Sequence, residues 1–295
     1  MEQKAFKSGF VSIVGKPNVG KSSLMNRLVG ENLSIITAKA QTTRHRIMGI
    51  LNGDDYQIVY SDTPGILEPK YSLHEAMMNY VKVSLEDADL ILLVVELNDK
   101  CEDQLFERFR KMDKPIILLI NKVDLAKGSQ VQDKVEYWKE SLQNTREIIP
   151  VSAKSGLNVN RILEVVKGYL PVHPPFFPAD EFTDRSERFF ASEIIREKIF
   201  LNYEEEIPYS CAVAINSFKE EKDIIRISAE IYVERDSQKG ILIGKAGSSL
   251  KKVGMEARKD MEVFFGKKIF LETHVKVAGN WRKEKNRLRQ FGYLE

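Results

Sequence analysis

Cysteine is nearly missing from this 295-residue chain: Cys101 and Cys211 are the only two, and they lie far apart. Neither a paired-cysteine metal or redox pattern nor a disulfide framework can be built from them, so a reducing, cytoplasmic setting is expected. Histidine is equally sparse, and His45, His74, His173 and His274 are too scattered for a zinc-binding pattern. Long apolar runs are absent too. Segments such as Leu90–Val95 have the length of a buried strand, far short of the roughly 18 to 20 residues a bilayer requires, and residues 1–9 lack the apolar stretch of a signal sequence. There is no long-period repeat and no low-complexity tract. Charge of one sign is lacking overall, since 45 Lys and Arg face 43 Asp and Glu for a net +2. The length and this ordinary composition suit one α/β domain plus a smaller partner.

What is present is chemically specific. Gly15-Lys16-Pro17-Asn18-Val19-Gly20-Lys21-Ser22 satisfies every fixed position of the phosphate-loop pattern G-x-x-x-x-G-K-[ST], directly after the apolar segment Phe10–Val14. Glycines allow successive N–H groups to turn toward phosphates, Lys21 adds a positive charge, and the Ser22 hydroxyl is a ligand for Mg²⁺. The following Ser22–Leu28 reads as a helix whose positive end faces the anion.

Downstream segments identify the base. Asn121-Lys122-Val123-Asp124 follows the apolar strand Ile116–Ile120, on the carboxyl edge of a parallel sheet where ligands of open α/β folds bind. A carboxylate at Asp124 accepts hydrogen bonds from guanine N1–H and the 2-amino group, a donor pair that adenine lacks. Ser152-Ala153-Lys154 ends a short strand over Ile148–Val151, and its backbone amides are expected to meet the guanine carbonyl. Asp62-Thr63-Pro64-Gly65 ends the strand Tyr56–Tyr60, which puts the Asp62 carboxylate near the metal's water shell and the Gly65 amide near the γ-phosphate. Thr43 is the candidate for the second metal-ligating hydroxyl, with Thr42 as runner-up. Metal ligation is thus expected from Ser22, Thr43 and Asp62, and catalysis from Lys21, Thr43, Gly65 and Asn18. One group is missing: where many GTPases carry a glutamine that orients the attacking water, this chain has Ile66, whose hydrocarbon side chain cannot do so.

Strands near residues 10, 47, 56, 90, 116 and 147 alternate with helices such as Leu73–Glu86, Gln130–Leu142 and Leu157–Leu170. A mostly parallel sheet covered on both faces is expected over residues 1–172. Four prolines within Pro171–Pro178 then mark a linker, taken as residues 173–181. Residues 182–295 form the second domain, and their charge is lopsided. From Ser237 onward, 14 Lys and Arg face 6 Asp and Glu, a surplus of +8 that leaves −6 for residues 1–236. That asymmetry points to a polyanion partner.

The element order sharpens the reading. A helix over Ser186–Tyr203, strands over Ser210–Ser217 and Asp223–Val233, a short helix Gly240–Ile243, the loop Gly244-Lys245-Ala246-Gly247, a helix Ser248–Phe265 and a strand Lys268–Val277 describe an α+β KH domain of the bacterial (type II) arrangement. Glycines there let a nucleic-acid backbone pass close to two helix N-termini, with Lys245, Lys251 and Lys252 beside the phosphates and Ile241 and Ile243 offering apolar surface to bases. Asn280–Gln290 reads as a basic helix with Trp281 and Leu288 on one face. It serves either as a docked terminus or as a further phosphate-binding surface.

Taken together, the phosphate loop, Gln41-Thr42-Thr43-Arg44-His45-Arg46, Asp62–Gly65, Asn121–Asp124 and the Ile-Leu-Ile-Gly-Lys-Ala-Gly run resemble the bacterial Era family of GTPases across essentially the whole chain. The resemblance implies a monomeric GTP-hydrolysing factor that uses GTP/GDP and Mg²⁺, binds the 3′ end of 16S rRNA and assists maturation of the 30S subunit. It also implies peripheral contact with the cytoplasmic face of the inner membrane, which no segment of the sequence itself requires. In a related branch of GTPases, an asparagine at the position of Asn18 helps to hold K⁺ against the phosphates, where its charge stands in for an arginine finger.

Overall fold

Ile91–Val95 and Ile116–Ile120 are unbroken hydrophobic stretches, and strands of that kind are stable only when both faces are covered. The computed structural model describes residues 5–101 and 104–294. It places these stretches inside a six-stranded sheet built from β1 (Lys7–Gly15), β2 (Ile47–Asn52), β3 (Tyr56–Asp62), β4 (Leu90–Glu96), β5 (Ile116–Asn121) and β6 (Thr145–Pro150), in the order β2-β3-β1-β4-β5-β6. Neighbours run parallel except β2 with β3. The helices of this part are α1 (Lys21–Val29), α2 (Ser72–Asp87), α3 (Gln104–Arg110), α4 (Gln130–Ser141) and α5 (Val159–Tyr169). Of these, α3 is the one that sequence patterning did not anticipate. Leu92, Leu93, Leu118 and Leu119 have no exposed surface, and each such side chain contributes about 1.5–3 kcal/mol by leaving water.

Register sets the site. Ile13 lies opposite Asp62 and Gly15 opposite Val94, so β3, β1 and β4 end on the same edge of the sheet, each two residues beyond the one before. β1 sits between β3 and β4, where the chain changes the side on which it adds strands, and ligands of open α/β sheets bind in the crevice that such a switch opens outside the carboxyl ends of the strands.

The proline run is fastened along its length. Ser8 N–H donates to Pro171 O and His173 N–H to Phe6 O. Gln57 Oε1 accepts from Phe176 N–H (2.7 Å) and Phe177 N–H (3.0 Å) while its amide donates to Phe177 O. Farther on, Ile50 N–H donates to Phe182 O and Met48 N–H to Asp184 Oδ1.

Contacts divide the chain into two compact units. The first holds the residues up to Ser34, Thr43–Glu68 and Met77–Asp184; the second holds Ile35–Thr42, Pro69–Ala76 and the chain from Arg185 onward. Two short segments of the amino-terminal half therefore count with the second unit, which sequence patterning did not foresee. That unit continues with α6 (Glu187–Asn202), α7 (Ile207–Ser210), β7 (Ala212–Glu220), β8 (Ile224–Val233), α8 (Asp236–Ile243), α9 (Ser248–Phe265), β9 (Lys268–Val277) and α10 (Lys285–Gln290). β8 is the central strand, antiparallel to β7 and parallel to β9. Its alternation does what period 2 requires: Ile225, Ile227, Ala229 and Ile231 are all buried, in one core with Ile195 and Ile199 of α6 and Val253, Ala257 and Met261 of α9.

Two expectations need correction here. α8 starts at Asp236, four residues before the expected Gly240, because the Gln238 side chain accepts hydrogen bonds from the Glu234 and Arg235 N–H groups and caps an earlier first turn. The terminal basic helix is confined to Lys285–Gln290, since Asn280 has a left-handed φ of 52° that breaks any helix through it. Trp281 lies in the turn before that helix, fully buried like Leu288, and donates its indole N–H to Ser210 O at 2.8 Å. The terminus is therefore docked through these two residues. Trp281→Ala is expected to destabilise the protein by about 3–5 kcal/mol, read as a lowered urea midpoint; a midpoint equal to wild type would refute this anchoring role.

Candidate functional site

The phosphate loop leaves β1 at Gly15 and enters α1 at Lys21. Gly20 has φ 95°, and a Cβ there would sit 2.3 Å from the Asn121 amide nitrogen, so both backbone and space demand glycine. Lys21 is buried. Its ammonium donates to Gly15 O (3.2 Å) and Lys16 O (2.8 Å), and burial pushes it down to about 8 against the opposing charge of Asp62. Lys16 pairs with Asp99 at 3.0 Å, and Asn18 is exposed, in the left-handed region at φ 63°.

The three expected metal ligands converge. Ser22 Oγ lies 2.6 Å from Asp62 Oδ2 and 2.8 Å from Thr43 Oγ1, which is itself 3.4 Å from Asp62 Oδ2. Burial raises the Asp62 carboxyl, and the Ser22 hydrogen bond and Lys21 charge oppose that rise. Its Oδ1 is buried without a hydrogen-bond partner. A hard oxygen set with one carboxylate oxygen unpartnered fits Mg²⁺, which binds through one or two carboxylates, hydroxyls and phosphates. Thr42 Oγ1 donates to Lys39 O and shares a hydrogen bond with Thr37, so its hydroxyl is engaged outside this cluster.

Past β3, Thr63 is buried and donates its hydroxyl to Ile13 O at 2.8 Å, tying β3 to β1 rather than facing a ligand. Pro64 is buried beside it. A Cβ on Gly65 would lie 2.6 Å from the Pro17 backbone, so this turn presses directly on the phosphate loop. Ile66 donates its N–H to Gly15 O and packs its side chain against the core of the first unit.

On the base side, Asn121 is buried. Its amide donates to Val19 O at 2.8 Å, and its Oδ1 accepts from Ala153 N–H at 3.0 Å. Lys122, at φ 62°, donates to Asn18 O (2.7 Å) and Glu96 Oε1 (2.5 Å). Val123 is buried, whereas Asp124 is exposed with Oδ1 accepting from Ser152 Oγ at 2.6 Å. Of the Ser152–Lys154 amides expected at the guanine carbonyl, two are committed within the protein: Ser152 N–H donates to Leu157 O and Ala153 N–H to Asn121 Oδ1. Sequence reading missed Arg27, in the last turn of α1, which donates to Ala153 O (3.2 Å) and Lys154 O (2.8 Å) and so holds this loop from below. Nothing local to Arg27 signals a partner more than a hundred residues away.

In the second unit, Gly244 (φ 72°) and Gly247 (φ 77°) flank Lys245 and Ala246. A Cβ on Gly244 would meet Ser249 Oγ at 2.2 Å. The loop runs from the carboxyl end of α8 to the amino end of α9, so one helix N-terminus faces it, not the two expected. Tyr203, also missed, donates its hydroxyl to Leu242 O at 2.6 Å and fixes the last turn before the loop. Ile241, Lys245, Ala246, Lys251 and Lys252 are exposed. Ile243 is half-buried against the core, so Ile241 alone of that pair presents its side chain outward.

Family models match two stretches: a 50S ribosome-binding GTPase over residues 10–122 and a KH domain over residues 206–282. Among solved structures, one of Era in complex with MgGDPNP and nucleotides 1506–1542 of 16S ribosomal RNA is similar with a TM-score of 0.94 and 39% identity, covering 98% of this chain and 100% of that one. A single-residue variant of Aquifex aeolicus Era bound to GDP·AlF4⁻ is similar with the same TM-score, identity and coverage.

The buried lysine has a measurable consequence in nucleotide-free protein. Between about 8 and its ordinary 10.5, the folded state binds fewer protons at Lys21 than the unfolded state does, so this group makes stability rise as pH increases through that window. Urea unfolding across the window is expected to show the rise, and Lys21→Met is expected to flatten it; an identical pH profile for the variant would count against the burial of a charged lysine.

Proposed function

The chain belongs to the Era family of GTPases, and we propose that it binds the 3′-end region of 16S rRNA through its KH domain and assists 16S processing and 30S maturation, with the bound nucleotide setting RNA affinity. One observation carries this reading: a guanine-nucleotide site and a Gly-x-x-Gly loop coexist in a chain whose likeness to an Era structure holding both MgGDPNP and 16S rRNA extends over 98% of its length.

The protein is a GTP hydrolase, and its residues divide the work as follows. The loop Gly15–Ser22 turns its N–H groups toward the β- and γ-phosphates, and Lys21 releases Gly15 O and Lys16 O to meet their charge. Asp124 accepts from the guanine edge while Lys154 N–H donates to its carbonyl. Asn121 and Lys122 hold these loops against the phosphate loop. Ser22, Thr43 and Asp62 would hold Mg²⁺, which when bound neutralises charge on the β- and γ-phosphates. Gly65 N–H faces the γ-phosphate. With Ile66 packed into the core, no side chain at that position orients water, so intrinsic hydrolysis is slow. Asn18, exposed at the rim of the loop, is the residue that would help to hold K⁺ as a source of compensating charge.

On the RNA side, Gly244 and Gly247 let a phosphate backbone approach the amino end of α9, Lys245, Lys251 and Lys252 supply charge, and Ile241 packs on a base. Linkage demands reciprocity: the factor by which GTP changes RNA affinity is the factor by which RNA changes GTP affinity. Among the described residues no helix is long and apolar enough to cross a membrane. A cytoplasmic setting follows from the rRNA partner, and peripheral contact with the inner membrane belongs to the same proposal.

The decisive test is binding of a short RNA matching the 3′ end of 16S rRNA, against a scrambled RNA, at one fixed salt concentration, with a GTP analogue or GDP. Preferential, nucleotide-dependent binding of the native sequence is expected, and equal binding of both RNAs in both states would sink the proposal. Lys245→Asp combined with Ala246→Asp is expected to weaken RNA binding by about tenfold or more while GTP hydrolysis without RNA stays at the wild-type rate. Hydrolysis is expected to run faster in potassium than in sodium buffer, and equal rates would remove Asn18 from this role.

A further inference from the structure

Ile35–Thr42, although it lies in the amino-terminal half of the sequence, belongs to the second compact unit because it is fastened along α6. Ile36 N–H donates to Glu197 Oε1, and the Lys39 ammonium donates to Phe200 O (2.7 Å) and Tyr203 O and pairs with Glu204 (3.1 Å), capping the negative end of the helix. One turn earlier, Arg196 reaches the same segment. Its side chain is fully buried and forked onto Glu193, with Nε to Oε1 at 2.7 Å and Nη2 to Oε2 at 2.5 Å, and Nη2 also donates to the carbonyl of Thr42. Thr42 is held at its other polar group as well, since its hydroxyl donates to Lys39 O at 2.7 Å.

The residue after Thr42 is Thr43, whose hydroxyl lies 2.8 Å from Ser22 Oγ. We infer that Arg196, oriented by Glu193, is a positioning residue for GTP binding: by gripping the Thr42 carbonyl it fixes the peptide plane that carries Thr43. The guanidinium suits this task because one rigid plane engages a carboxylate through two nitrogens and still donates to a carbonyl, a geometry that lysine cannot reproduce. The inference rests on the reading of Thr43 as the hydroxyl that serves the GTP-bound state. Switch segments of this kind are ordered by contacts to the γ-phosphate and its metal and released in the diphosphate state. Loss of the grip therefore weakens GTP binding and leaves GDP binding alone, whereas a merely structural lesion lowers both.

The test compares the affinities of the full chain for a non-hydrolysable GTP analogue and for GDP, both with Mg²⁺, in four proteins. These are wild type, Thr43→Ala, the double variant Glu193→Gln with Arg196→Met, and Lys39→Met. The double variant removes both charges of the buried pair together, which spares the fold the uncompensated carboxylate that a single substitution leaves. Lys39→Met loosens the same segment at a more accessible point and reads the same ratio if the double variant fails to fold. The expected result is a fall of about fivefold or more in the analogue-to-GDP affinity ratio for the double variant and for Lys39→Met, approaching the ratio of Thr43→Ala, with GDP affinity unchanged. A ratio that collapses in Thr43→Ala but stays at the wild-type value in the folded double variant and in Lys39→Met overturns the role of Arg196. A ratio that Thr43→Ala itself leaves untouched overturns the reading of Thr43, and the inference with it.

Discussion

The side chain of Asn121 is the tie on which the nucleotide site depends. Its N–H₂ and its oxygen are both committed to backbone, one to the loop after β1 and one to the loop after β6, and only a carboxamide offers a donor and an acceptor from one short planar group. Two loops are thus locked to the end of β5, itself among the most deeply buried strands of the sheet. Gly20 is a consequence of the same bond, since any side chain there would displace the Asn121 amide. A rigid sheet edge and one amide therefore set where phosphates and base are met, before any ligand arrives.

That preparation has a cost in the nucleotide-free protein. Asp62 and Lys21 are both buried, and burial works against the charged form of each. Nucleotide and metal, by engaging these groups, convert that cost into binding free energy, so the protein is expected to be markedly more stable when loaded.

Much of this was legible in the sequence because it is local. The phosphate loop, Asp62–Gly65 and Asn121–Asp124 sit where strands end, and strands are visible as apolar runs; the β8 alternation of Ile225, Ile227, Ala229 and Ile231 likewise announces its buried face. What was not legible depends on partners distant in sequence. Arg27 beneath Ala153 and Lys154 and Tyr203 against Leu242 join residues tens to more than a hundred positions apart, and neither residue type carries a local signal for such a contact. The terminal helix was overestimated for a different reason: basic residues favour a helix on average, but one left-handed Asn280 and one indole seeking Ser210 O outweigh that preference over the five positions 280–284.

The extended segment after the proline run acquires a meaning from where it lies. β2 is the outermost strand of the sheet beside β3, and Gly49 bridges Thr183 while Ile50 N–H donates to Phe182 O. An outer strand with open N–H and C=O groups is a template for pairing with another chain, and natural proteins cover such edges. The connection to the KH domain is thus also the stopper on the GTPase sheet. A nucleotide-binding fragment that ends at the first proline of the run would carry an uncovered strand, and its self-association would reflect the cut rather than any property of the intact protein.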